Sequence, residues 1–395
     1  MLILAVAVLA RLALIIVKGQ HAHFADTLEY DAAARNLLAG HGIGGSIPRA
    51  PLYPAFMALG YLMFGAGNFP AVRLLQLLPG AGAVFLTMWL GARIGGPTTG
   101  RLAGAAAALA PTLVYTSTML YPTVLYTLII LAITAVAWHA SRTSGVGAGA
   151  VLGGLIALAW FTDQIVIVPV VAVLAWMAFA TPRQGTRSAR APILAVIVAL
   201  ALVIPVARYQ QRAHDTPVFF LPKAEYVLYV ARHDSSAVGG HAIQDTSRTF
   251  APLSAREFLG REARLLAQHP GAYLHDYAFE FVHFFNPYPD RIQTANRFTG
   301  RGARWLVAIY FLLVLSLAIG GLVFGTGRAR DRALLALVPL ATAATYALFF
   351  TQARYRIPTE PLLLVLAAMG AERIAQGMTR LKSPAPRQHP APVDP

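Results

Sequence analysis

The chain contains no cysteine, so no disulfide frames it and no thiolate holds a metal; histidine, aspartate and glutamate are its only strong metal ligands. Charge is scarce as well. Asp, Glu, Lys and Arg make up 12% of the 395 residues against 57% apolar ones, which excludes an ordinary soluble domain and places the chain in a bilayer. No P-loop, dinucleotide fingerprint or soluble repeat is present, so ATP-driven transport has no motor within these residues. Acidic residues are the rarer sign, 17 against 32 Lys and Arg, for a net charge of +15. Such a surplus points to nucleic acid only where the cations gather on one face. Here most lie between apolar runs or in one polar insert, and no nucleic-acid partner is expected.

What remains is apolar sequence in long runs. About 20 apolar residues in a helix cross the hydrocarbon core, fewer where the ends are shielded. Ten runs qualify: Leu2 to Val17, Phe69 to Ile94, Leu102 to Tyr115, Met119 to Ala140, Val146 to Phe161, Ile165 to Ala180, Pro192 to Ala207, Trp305 to Phe324, Ala333 to Phe350 and Ile357 to Ala371. The first lacks a preceding basic region, is interrupted by Arg11 and is followed by a poor cleavage site at His21-Ala22-His23, so it reads as a membrane helix rather than a signal peptide. The expected class is an all-α polytopic membrane protein of about ten transmembrane helices.

Short cytoplasmic loops carry excess Lys and Arg, which orients the bundle. With the N-terminus inside, the inside connections and tail hold Arg93, Arg101, Arg142, Arg183, Arg187, Arg190, Arg328, Arg330, Arg332, Arg373, Arg380, Lys382 and Arg387. The three short outside turns, near Ser117, Thr162 and Gln352, hold only Arg354 and Arg356. Both termini are therefore expected in the cytoplasm. Residues 1–207 form an N-terminal bundle that includes a first outer loop, 18–68. An extracytoplasmic insert, 208–304, lies between helices seven and eight, followed by C-terminal membrane helices, 305–376, and a Pro-rich tail, 377–395, expected to be disordered. Within the insert the expectations are extended or irregular structure at Val218 to Val230, and a helix from Ser254 to Gln268 with Ser254 as N-cap and Glu257 completing a capping box. His269-Pro270-Gly271 should stop that helix, and another should run from Tyr273 to Phe285.

The first outer loop carries the densest chemistry. Asp26 lies just beyond the first helix, close to the outer interface. A short surface helix is expected from Thr27 to Ala39, ended by Gly40 and Gly42, with Asp26 as N-cap and Glu29 three positions on. A carboxylate at an apolar boundary titrates higher than in water, which suits a general base, and the two roles are compatible.

The acidic residue after helix one, Tyr30, Ala34-Arg35-Asn36-Leu37-Leu38-Ala39-Gly40 and Arg49-Ala50-Pro51-Leu52-Tyr53-Pro54 together resemble the first outer loop of the family 39-like membrane glycosyltransferases of the GT-C superfamily. That group includes protein O-mannosyltransferases and lipid A aminoarabinose and galacturonic acid transferases. Phe64-Gly65, Arg73-Leu74-Leu75-Gln76, His269-Pro270 and Arg354-Tyr355-Arg356-Ile357-Pro358 extend the resemblance along nearly the whole chain. It implies an inverting transfer of one sugar from a polyprenyl-phosphate donor to a lipid, glycan or protein hydroxyl on the extracytoplasmic face of the cell inner membrane. Asp26 matches the catalytic acidic position. The sequence departs from the group at Leu120-Tyr121-Pro122-Thr123, where many relatives carry an acid, and at Asp163-Gln164, where Arg-Pro is frequent.

A departing phosphate needs cations, and guanidinium holds phosphate through paired hydrogen bonds. Arg354, Arg356, Arg49 and Arg11 are the candidate phosphate contacts; Arg11, inside an apolar run, should face the protein interior or snorkel outward. Glu29, Tyr30, Tyr53, Lys223 and Asp163 are candidate substrate contacts. No cofactor is expected. His21, His23 and His41 cluster near Asp26 in sequence, but no His-x-x-x-His spacing supports a divalent-metal site. Two other classes compete: a lipid or solute transporter, which would place ionisable groups near the midplane, and a glycan ligase or polymerase using a pyrophosphate-linked lipid, which would need outer arginines but not Asp26.

Overall fold

The computed structural model describes residues 1–20, 25–42, 50–143, 146–180, 187–214, 220–221, 253–288, 301–349 and 351–382. Among them the chain is almost wholly helical. The elements are α1 (Leu2–Lys18), α2 (Ala25–Leu38), α3 (Leu52–Phe64), α4 (Phe69–Leu75), α5 (Leu77–Ile94), α6 (Pro97–Leu109), α7 (Pro111–Thr116), α8 (Thr123–Thr143), α9 (Val146–Trp160), α10 (Ile167–Ala180) and α11 (Arg187–His214). Then come β1 (Phe220–Leu221), β2 (Leu253–Ser254), α12 (Ala255–Gln268), α13 (Pro270–His283), α14 (Arg301–Phe324), α15 (Ala329–Tyr346), α16 (Ala353–Arg356) and α17 (Glu360–Lys382). The two strands form an antiparallel pair, Phe220 opposite Ser254 and Leu221 opposite Leu253.

Among the described residues each of the ten apolar runs overlaps helix over most of its length. Among the described residues four stretches are long and apolar enough to cross a membrane by length and composition: Phe69–Ile94, Thr123–Thr143, Arg190–Arg212 and Gly302–Phe324. Proline sets several boundaries, because it lacks the amide that an interior helical position must donate. Pro97 and Pro111 open α6 and α7, and α8 starts directly after Pro122, later than the run of apolar residues suggested.

Close packing of the helices depends on small residues. A Cβ on Gly321 of α14 would overlap the Leu366 carbonyl of α17, and one on Gly370 would overlap the Leu317 carbonyl, so both helices approach backbone to backbone. On the other side of the bundle a Cβ on Gly149 of α9 would lie 2.6 Å from the Ala191 carbonyl of α11. The main core joins α5, α6, α8, α9, α10, α11, α14, α15 and α17 through residues such as Leu90, Leu131, Leu152, Phe311, Leu334 and Leu362.

Several boundaries differ from expectation. α2 begins at Ala25, so Asp26 sits inside the first turn rather than capping it, where a carboxylate still faces the unsatisfied amides of the helix start. α3 was not foreseen. Its Tyr53, Met57, Ala58 and Tyr61 pack against Tyr30, Ala34, Val72 and Leu120, while Leu59, Leu62, Met63 and Phe64 stay exposed, the two-sided pattern of a helix lying along an apolar surface. In the insert, His269 breaks the helical run as expected, but Pro270 opens α13 at once, because proline fits a first helical turn. α17 continues to Lys382, beyond the boundary placed at residue 376, and the rest of the tail lies outside the described residues.

Candidate active site

The site forms where α2, the turn between α7 and α8, and the segment before α17 meet. The turn is gripped from three sides. Arg73, fully buried on α4, donates from Nε to the Thr118 carbonyl at 2.8 Å and from Nη1 to the Gly19 carbonyl. Gln76 donates from Nε2 to the Ser117 and Met119 carbonyls, both at 2.8 Å, and accepts from the Tyr53 hydroxyl at 2.6 Å. Thr27 of α2 donates to the Leu120 carbonyl at 3.2 Å. Buried carbonyls in a non-helical turn need such partners, and the Arg73-Leu74-Leu75-Gln76 stretch supplies them one helical turn apart.

The gripped turn presents Tyr121. Its ring meets Tyr30 edge-on, centroids 5.7 Å apart, and Tyr30 meets Tyr53 edge-on at 5.1 Å. On Tyr121's other side lies Arg354, whose guanidinium carbon is 5.4 Å from the Tyr121 centroid and 5.3 Å from that of Tyr355. Burial disfavours the Arg354 charge, but Tyr121, Tyr355 and Asp26 together outweigh it and hold its pKa above the ordinary arginine value. Asp26 is half-buried on the first turn of α2. The two candidates from opposite ends of the sequence therefore lie on elements that meet at Tyr121, α2 through Tyr30 and the segment before α17 through Arg354.

The other candidates separate from this pair. Arg356 is almost fully buried, donates to the Asn286 carbonyl and stacks over Phe311 at 3.5 Å. Four residues on, Glu360 accepts from Thr112 at 2.6 Å and Tyr310 at 2.8 Å. Arg356 is thus a buried link between segments. Arg11 faces the interior, as the cost of a cation in lipid requires, and donates to the carbonyls of Ala7 at 2.9 Å, Ala108 at 3.2 Å and Ala107 at 3.5 Å. These contacts satisfy the carbonyl end of α6. Tyr53 is fully covered and directed to Gln76. Tyr30 is buried in the same aromatic cluster, and Glu29 is half-buried on α2. Arg49, Lys223, His21 and His23 lie outside the described residues. Among the described residues no group of three His, Asp or Glu side chains comes together.

Asp163 sits in the turn after α9. It accepts from the Ile165 amide at 3.1 Å and the Tyr346 hydroxyl at 3.0 Å. Burial raises its carboxyl above the usual range, while these two donors pull it back. Tyr346 stacks flat on Tyr355, centroids 4.3 Å apart, so Asp163 anchors an aromatic pair whose outer member, Tyr355, lies against Arg354. Arg73, Gln76, Tyr121 and Tyr346 are the supporting residues that sequence reasoning missed. The Arg73-Leu74-Leu75-Gln76 stretch was the one signal available for the first two.

The sequence model of the dolichyl-phosphate-mannose-protein mannosyltransferase family matches residues 48–209. No curated protein matches the chain significantly in sequence. Among solved structures, ArnT from Cupriavidus metallidurans bound to undecaprenyl phosphate superposes with a TM-score of 0.59 at 16% identity, covering 96% of this chain and 62% of that one. The Archaeoglobus fulgidus oligosaccharyltransferase in the apo form gives 0.59 at 12% identity, covering 96% and 51%. AglB from the same organism, in complex with an inhibitory peptide and a dolichol-phosphate, gives 0.54 at 11%, covering 98% and 52%. The chain shares the fold of these structures and spans between half and two-thirds of their length.

Proposed function

We propose that the chain is a membrane glycosyltransferase that moves a single sugar from a polyprenyl-phosphate donor to a hydroxyl of a lipid, glycan or protein, with inversion, on the extracytoplasmic face of the cell inner membrane. The observation that carries this reading is the Arg354 guanidinium set against Tyr355 and against Tyr121, whose turn also packs against α2, the helix that carries Asp26 in its first turn. ArnT bound to undecaprenyl phosphate and AglB in complex with dolichol-phosphate support a lipid-phosphate donor. In the proposed step the acceptor oxygen attacks the anomeric carbon and its proton passes to Asp26. The bond from that carbon to the phosphate oxygen breaks, and the electron pair leaves with the polyprenyl phosphate. Phosphate is already a good leaving group, so Arg354 stabilises the charge that develops on it and no second acid is required. This fits a turn that reads Leu120-Tyr121-Pro122 in place of an acid.

Asp26→Asn keeps the size and helix position of the side chain and removes its basicity. Loss of a general base lowers the rate by about 10²–10⁴-fold. Sugar transfer by purified protein in liposomes, compared at equal folded yield, should fall into that range. A transporter, or a ligase working from a pyrophosphate-linked lipid through its arginines, would keep substantial activity, and that outcome would sink the proposed mechanism.

A further inference from the structure

The segment that carries Arg354 is tied to the extracytoplasmic insert through α13. Tyr277, Glu280 and Phe284 are spaced three and four apart, so they form one stripe, and that stripe faces the bundle. Tyr277 donates to the Ala344 carbonyl at 3.0 Å, and Phe284 stacks on Tyr346 with centroids 6.3 Å apart. Between them Glu280 receives Thr351: the Thr351 amide donates to Oε2 at 2.7 Å and its hydroxyl at 2.5 Å, with the same hydroxyl 3.1 Å from the Glu280 carbonyl. Both residues are buried, Glu280 at 6% and Thr351 at 0% exposure, and they are 71 positions apart in sequence. Just beyond Arg354, Arg356 donates to the carbonyl of Asn286, immediately after α13. Arg354 therefore sits on a short span pinned at both ends to the same part of the insert.

We propose that Glu280 is a positioning residue that holds Arg354 in place for the donor phosphate, by latching Thr351 to α13. The inference rests on the reading of Arg354 as a phosphate-binding group. A buried carboxylate accepting an amide and a hydroxyl from one threonine fixes both the direction of the backbone and the rotamer there, three residues before the guanidinium. Without it the span before α16 loses its anchor on that side, and Arg354 is held by its aromatic neighbours and the Arg356–Asn286 tie beyond it.

The test uses the full chain in nanodiscs and measures binding of undecaprenyl phosphate against undecaprenol, which lacks the phosphate, by native mass spectrometry. Arg354→Ala should erase the preference for the phosphate-bearing lipid. Glu280→Ala should weaken undecaprenyl phosphate by about tenfold and leave undecaprenol unchanged, whereas Glu280→Gln, which keeps a carbonyl acceptor, should stay within about twofold of the parent. Thr351→Val retains the amide donor and should fall between them. It gives the same reading if Glu280→Ala does not fold. If Arg354→Ala loses the preference while Glu280→Ala and Thr351→Val keep it, the latch is wrong and the phosphate site stands. Equal loss for both lipids would mean general damage and would also overturn the positioning role. If Arg354→Ala binds like the parent, the phosphate reading beneath the inference fails, and the inference fails with it.

Discussion

Gln76→Ala should be among the most damaging single changes near the site. Its side chain is fully buried and serves three partners: the Tyr53 hydroxyl at 2.6 Å and the Ser117 and Met119 carbonyls, both at 2.8 Å. The Met119 carbonyl keeps the Tyr121 amide at 2.9 Å, so truncation strands one donor and one acceptor, each costing about 1–3 kcal/mol when no water replaces the lost partner. Even the low end gives about 2 kcal/mol, before the cavity left by the amide is counted. The Tyr53 hydroxyl contributes a share that can be isolated. Tyr53→Phe in the Gln76→Ala background removes the stranded donor without changing ring packing, so the double variant should recover about 1–2 kcal/mol of the loss. Unfolding followed by intrinsic fluorescence during titration with a denaturing detergent measures both. A loss below about 1 kcal/mol for Gln76→Ala, or a double variant no more stable than the single one, would refute the reasoning. Sugar transfer should fall as well, because the Thr116 to Tyr121 turn would no longer hold Tyr121 against Arg354.

Gly321→Val should destabilise the pairing of α14 with α17 by about 3 kcal/mol or more, since the new Cβ overlaps the Leu366 carbonyl and backbone cannot step aside cheaply; thermal unfolding in detergent reads it. Asp163 has a folded-state pKa raised above its ordinary value of 3.8, so it favours the folded state fully below that value and loses the contribution as pH rises through its folded pKa. Asp163→Asn, which stays neutral, should flatten that part of the stability–pH curve and leave the protein no less stable at pH 7. An unchanged pH profile would show that the carboxyl titrates normally. In the first turn of α15, Asp331 pairs with Arg142 at 2.5 Å while being almost fully buried. Asp331→Ala leaves that cation uncompensated and should cost about 3 kcal/mol, less than a fully buried pair because Arg142 is partly exposed.

What the sequence determined by itself was the helical bundle. In hydrocarbon every backbone amide and carbonyl must find its partner inside the chain, so a long apolar run has little choice but to be helical. It also singled out two candidates: Asp26, expected at the outer rim because it follows the first such run, and Arg354, expected in a short outer turn that holds few charges. Tertiary structure decided where the candidates lie. It brought α2 and Arg354 to either side of Tyr121, sent Arg356 to Asn286 and Arg11 to the end of α6, and tied the buried Tyr53 to Gln76. Those outcomes depend on hydrogen bonds and ring contacts between residues far apart in sequence. No periodicity encodes them, because spacing along a chain specifies only which residues share a face and never which distant face they meet. The helix α3 was hidden for a related reason. Its apolar residues serve a buried cluster on one side and a surface on the other, and only the packed neighbours distinguish that arrangement from a loop.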